Sequence, residues 1–161
     1  MQTDRLWGIG AGAGLLLLAV ASGDPATDAA PAGLRVASAA FEGPVRADVV
    51  RVIDGDTFEA SAQIWLGEAV DIHVRIEGID APELHSRCDA EYARAEAAKS
   101  YLESRIGGGE VELSGVQYDK YGGRVRAVVK DGSGDVGQAM IAKGYARAYH
   151  GGHRGSWCEE G

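Results

Sequence analysis

Cysteine and positive charge are the scarce commodities of this 161-residue chain. It has two cysteines, and 16 Lys+Arg against 24 Asp+Glu give a formal net charge of −8. Two cysteines allow one bridge and provide no second cysteine pair for a structural zinc site. A surface this acidic does not attract polyanions through its general field, so any binding of one must rest on local charge or a metal ion. Long apolar runs are nearly absent: only Leu6–Ala21 qualifies, and it falls short of the ~20 residues of a spanning helix. Neither a nucleotide-binding glycine loop nor a nucleophile elbow occurs. What the chain has is 45% hydrophobic residues, too many for disorder throughout, in a length that makes one domain.

The first forty residues read as an address rather than a fold. A short polar start is followed by the apolar Leu6–Ala21, which ends in the small-x-small triplet Ala19-Val20-Ala21. That is the pattern of a secretory signal, with a membrane anchor as the alternative. A second such triplet, Ala37-Ser38-Ala39, leaves the cut site open. Residues 22–40, rich in Ala, Pro, Gly and Asp, read as a flexible linker, so the folded domain is expected over 41–161. Two of the Lys+Arg and three of the Asp+Glu precede Phe41, leaving 14 against 21 in that domain. An exported chain meets oxidising conditions, and there Cys88 and Cys158 are expected to pair; in a reducing cytosol they would be free thiols.

Val45–Ile53 is β-branched and breaks at Asp54-Gly55. Phe58, Ala60, Ala62 and Ile64 then alternate with polar residues, as do Val70, Ile72, Val74 and Ile76, giving three consecutive strands. Alternation puts Arg75 and His73 on the polar face of the third. Ala95, Ala98, Leu102 and Ile106 recur at helical spacing over Glu91–Ile106, before three glycines. Val111 and Leu113 mark a fourth strand, Val125, Ala127 and Val129 a fifth, and Val136–Lys143 a short helix. An α+β chain with five strands and a helix between the third and fourth matches an oligonucleotide/oligosaccharide-binding (OB) barrel, although small α+β sandwiches share that order.

The chemistry sits in the turns. Asp54 and Asp56 flank Gly55 after the first strand, and Asp80 and Glu83 follow the third. The hairpin of the second and third strands brings these pairs to one end. Four converging carboxylates repel and raise one another's pKa values unless a cation sits among them, and all-oxygen ligation suits Ca²⁺ or Mg²⁺. Asp-Gly and Asp-x-Pro are also ordinary turn residues. Arg75 and Arg124 could fork onto phosphate or merely face solvent. His150, His153 and Cys158 match zinc spacing poorly and read as loop residues.

Three segments occur in order: Val52-Ile53-Asp54-Gly55-Asp56-Thr57, Arg75-Ile76-Glu77-Gly78-Ile79-Asp80-Ala81-Pro82-Glu83, and Asp119-Lys120-Tyr121-Gly122-Gly123-Arg124. Together they resemble the thermonuclease (staphylococcal nuclease-like) family over about Val45–Tyr149. The resemblance implies the five-stranded barrel and Ca²⁺-dependent hydrolysis of DNA and RNA phosphodiesters to 3′-phosphate ends. By position it implies Asp56, Asp80 and the Ala81 carbonyl as Ca²⁺ ligands, with Asp54 just behind them. It implies Glu83 as general base, Arg75 and Arg124 as the arginines on the reacting phosphate, and Lys120, Tyr121 and Tyr149 as substrate-binding residues. The chain departs from the family in the second glycine, Gly123, before Arg124, in a longer stretch from Thr57 to Arg75, and in lacking the family's C-terminal helix. Non-catalytic relatives lack parts of the acidic and arginine set, which is intact here. The alternatives are a non-catalytic module of the cell envelope that binds nucleic acid or protein, and a structural domain there. No obligate protein partner is implied, and a membrane only if Leu6–Ala21 stays uncut.

Overall fold

The computed structural model describes residues 40–120 and 122–158. The expected signal, nearly all of the expected linker, and Tyr121 lie outside the described residues. Among those described, no helix is long and apolar enough to cross a membrane.

Five long strands form the barrel: β1 (Val45–Val52), β2 (Thr57–Trp65), β3 (Glu68–Ile76), β5 (Glu110–Tyr118) and β6 (Arg124–Asp131). Three two-residue strands, β4 (Ile79–Asp80), β7 (Gly134–Asp135) and β8 (Arg147–Ala148), and two helices, α1 (Asp89–Ile106) and α2 (Val136–Ala142), complete the order. The long strands hydrogen-bond in the order β3-β2-β1-β5-β6, and β3 pairs with β6 in parallel, His73 against Arg124 and Arg75 against Arg126, which closes the ring. This is the OB barrel that the strand order matched and the family resemblance implied.

Alternation built the ring as expected. Phe58, Ala60 and Ala62 of β2, Val74 and Ile76 of β3, and Val111, Leu113, Ala127 and Val129 from β5 and β6 are buried in one core. The expectation fails at the far end of the hairpin. Ile64, Trp65 and Leu66 are exposed, because β2 and β3 run past the rim before turning at Gly67, whose φ of +80° is left-handed. Helix α1 starts two residues earlier than its apolar spacing indicates. Cys88 caps it, the Sγ accepting from the Glu91 N–H, and Ala95, Ala98, Leu102 and Ile106 face the core.

The same helix positions the site. A Cβ on Gly55 would lie 2.8 Å from the Cβ atoms of both Ala81 and Ala98. Only a glycine between two alanines lets the turn after β1, the segment after β4 and the helix pack this closely.

Candidate functional site

The turn joining β1 to β2 presents its carboxylates because its own backbone closes it. Ile53 and Asp54 donate N–H bonds to the Thr57 carbonyl, and Asp54 Oδ1 accepts from the Asp56 N–H at 3.0 Å. Asp56 is thereby turned inward. Its Oδ1 accepts from the Thr57 hydroxyl at 2.8 Å and from Arg75 Nη1 at 2.5 Å, and its Oδ2 from the Ala81 N–H at 3.3 Å. Register explains the meeting, since β2–β3 pairing sets Thr57 opposite Arg75. Arg75 is therefore not on a solvated face as alternation indicates. Its side chain is 10% exposed, and Asp56, arriving from the turn, is the ion that lets it be buried.

Asp80 lies on β4, which pairs with β8 near the end of the chain, Asp80 opposite Arg147. Its Oδ2 accepts from the Trp157 indole N–H at 3.2 Å. Its Oδ1 is buried and accepts no hydrogen bond, although it is ion-paired with Arg154 Nε, 3.1 Å away, and with Arg75 Nη2, 4.0 Å away. Glu83 is half exposed, and its carboxylate accepts from Arg154 Nη1 at 2.5 Å. Burial, then the nearby Asp56 charge and, more weakly, Glu83, raise Asp54 from an ordinary 3.8 to about 6. The segments before β2 and after β3 thus bring their carboxylates to the same end of the hairpin, and the crowding of Asp54 by Asp56 and Glu83 costs free energy.

The donor set fits a hard divalent cation. Asp80 Oδ1 accepts no hydrogen bond and Asp56 Oδ2 a single N–H, so both keep lone pairs beside the Ala81 backbone, although Arg154 Nε already stands 3.1 Å from Asp80 Oδ1. The ligands would be Asp56, Asp80 and the Ala81 carbonyl, with Asp54 behind them.

The remaining expected residues are spread more widely. Arg124 opens β6 and sends Nε and Nη2 to Asp119 Oδ2, at 2.7 and 2.6 Å. The Asp119 N–H also bonds the Arg124 carbonyl, and Gly123 between them takes a φ of +81°. The additional glycine thus folds the arginine back onto its own loop. Burial raises the Asp119 pKa, but Arg124's hydrogen bonds and charge outweigh that and hold it below the ordinary value. Lys120 is exposed on the same loop. Tyr149 follows β8, its N–H bonded to the Gly78 carbonyl and its hydroxyl to the Gly152 carbonyl at 2.8 Å. Cys88 and Cys158 are joined in a disulfide, their Cα atoms 6.0 Å apart. His73 is exposed, 3.9 Å from Glu59, as alternation indicates.

A model of the staphylococcal nuclease homologue family matches residues 73–156. The chain belongs to the staphylococcal nuclease homologue family. None of the curated proteins matches the chain. Family membership makes it a nuclease or nucleic-acid-binding domain, and the match runs from β3 through the tail that carries Arg154.

Sequence reasoning tied that tail to the segment after Glu83 through the cysteines but assigned no role to Arg147, Arg154 or Trp157. Arg154 bridges Asp80 and Glu83, Trp157 is buried against Asp80, and Arg147 stacks on the Trp157 ring at 3.7 Å. Glu91 was missed as well: its carboxylate accepts the backbone N–H groups of Glu83 at 3.4 Å and Arg87 at 3.5 Å, shaping the segment that carries Glu83. The one available signal was the cysteine pairing, which brings the tail to the segment after Glu83.

Proposed function

We propose that this protein is an exported, Ca²⁺-dependent nuclease that hydrolyses phosphodiester bonds of DNA or RNA and leaves 3′-phosphate ends. The observation that carries the reading is the meeting of Asp56, Arg75, Asp80 and Ala81 at one end of the barrel, with a buried carboxylate oxygen among them that accepts no hydrogen bond. Bound there, Ca²⁺ supplies charge neutralisation to the phosphate. Glu83 takes a proton from water as its oxygen attacks phosphorus in line. The bond from phosphorus to the 5′-oxygen breaks, and solvent protonates that oxygen. Arg75 and Arg124 donate to the equatorial oxygens, Arg124 exchanging Asp119 for phosphate. Lys120 and Tyr121 hold the terminal phosphate, and Tyr149 packs on a base. Export is supported by Leu6–Ala21 with its small-x-small ends and by the Cys88–Cys158 bridge; if the segment is left uncut, the enzyme is membrane-anchored.

The test is to incubate the oxidised protein with single-stranded DNA in Ca²⁺ or in chelator and to analyse fragment ends. Ca²⁺-dependent fragments ending in 3′-phosphate, with Glu83→Gln impairing turnover more than binding, are expected. DNA left intact in both conditions would make the protein a binding module, and undiminished turnover by Glu83→Gln would remove that residue from its role.

A further inference from the structure

The acidic cluster needs more positive charge than the barrel supplies. Arg75 already pairs through Nη1 with Asp56, Arg126 pairs with Glu77 at 3.3 Å, and Arg124 is folded onto Asp119. The cation that stands against Glu83 comes from outside the ring. Arg154 places Nε near Asp80 Oδ1 and Nη1 on Glu83 Oε1, and neither contact engages Nη2 of a side chain that is 38% exposed. Its guanidinium also lies 5.8 Å from the Tyr149 ring centroid.

The position is built rather than incidental. Upstream, β8 is paired to β4 and the Tyr149 N–H is bonded to the Gly78 carbonyl. Gly151 and Gly152, with φ of +98° and +94°, turn the chain back. Downstream, Trp157 is buried, its carbonyl accepting from Arg94 Nη1 at 3.1 Å and its indole donating to Asp80, and Cys158 is covalently tied to Cys88. Arg154 is thus held between two fixed points, with Nη2 of its guanidinium unengaged by either carboxylate beside the proposed general base. From there Nη2 can donate to a phosphate oxygen, and Nη1 can join it by exchanging Glu83 for phosphate.

We propose that Arg154 is a further substrate-phosphate-binding arginine, carried into the site by the disulfide-closed strap from Tyr149 to Cys158. The assignment rests on the nuclease reading for its catalytic part, whereas its binding part stands without turnover.

The experiment compares the full oxidised protein with Arg154→Ala, Arg154→Lys and the Cys88→Ser/Cys158→Ser pair. Affinity for a fluorescent single-stranded oligonucleotide is titrated against salt in chelator, cleavage kinetics are followed in Ca²⁺, and melting is recorded. Losing one phosphate contact should lower the slope of log affinity against log salt by about 0.7 in Arg154→Ala. Affinity should fall about tenfold, as for a lost charged hydrogen bond. Arg154→Lys should restore the slope but not the rate, because it keeps the charge without the fork. Cleavage should drop by about ten- to a hundredfold in Arg154→Ala, and adding that substitution to the serine pair should cost little more, since the untied strap has already withdrawn the arginine. An unchanged slope with a lowered melting temperature would make Arg154 a structural counter-ion and overturn the proposal. A gain in affinity or rate would make it an inhibitory plug and overturn it equally. If the protein binds with the expected slope change but cuts nothing, the catalytic reading falls and the phosphate assignment stands.

Discussion

The buried pair of Asp56 and Arg75 shows how a single ion changes what its neighbour is for. Taking Arg75 out of water is tolerable only because Asp56 meets it, and the two then hold each other in fixed orientation. Arg75→Ala is expected to slow DNA cleavage by orders of magnitude and to destabilise the fold by about 3–5 kcal/mol, the cost of a stranded buried carboxylate. Initial rates and denaturant melts of the same preparation check both. Asp54 behaves oppositely, because it resists ionisation. With a folded value of about 6 against 3.8 unfolded, its contribution is complete below pH 4 and is lost as pH rises through 6, by about 3 kcal/mol. Asp54→Asn should therefore flatten that part of the stability–pH curve in chelator, and unfolding titrations at intervals from pH 3.5 to 7 would show it. An equal slope in wild type and variant would mean that Asp54 ionises freely.

Among the elements, legibility followed periodicity. Strands β2 and β3 could be read from alternation and α1 from its three- and four-residue spacing, because each repeats its pattern against one core. The two-residue strands β4, β7 and β8 are too short to show a period, so the β4–β8 pairing that carries the tail to Asp80 left no mark. Burial of Arg75 was hidden for a related reason: alternation reports which side of a strand a residue occupies, and not that a carboxylate from a neighbouring turn awaits it. The acidic residues were legible as a cluster because the hairpin between them dictates their meeting. Gly55 marks where elements meet most closely. Gly55→Ala would press a methyl against Ala81 and Ala98, and is expected to cost about 1–3 kcal/mol. Because the turn carries Asp54 and Asp56, Ca²⁺ affinity by calorimetry should weaken with it, whereas Gly67→Ala at the far hairpin tip should leave Ca²⁺ affinity alone.

At the scale of the whole molecule, one covalent link joins the start of α1 to the tail, across 70 residues. The Cys88→Ser/Cys158→Ser protein should lose about 4 kcal/mol of folding free energy through the wider freedom of its unfolded chain. Urea titration of the two proteins, with equal melting midpoints as the contrary result, measures it. The ring itself has a different consequence. Each of the five long strands has a neighbour on both sides, because β3 and β6 seal the seam. His73–Ile76 of β3 and Arg124–Ala127 of β6 leave no free edge along the seam, whereas Glu68–Ile72 of β3 run beyond it with β2 on one side alone, toward the exposed Ile64, Trp65 and Leu66 of the hairpin tip. Strand addition at the seam must therefore wait for β3 and β6 to part, whereas the overhanging Glu68–Ile72 is open to a partner strand in the folded protein, so fibres formed without unfolding should grow from the hairpin and not from the seam.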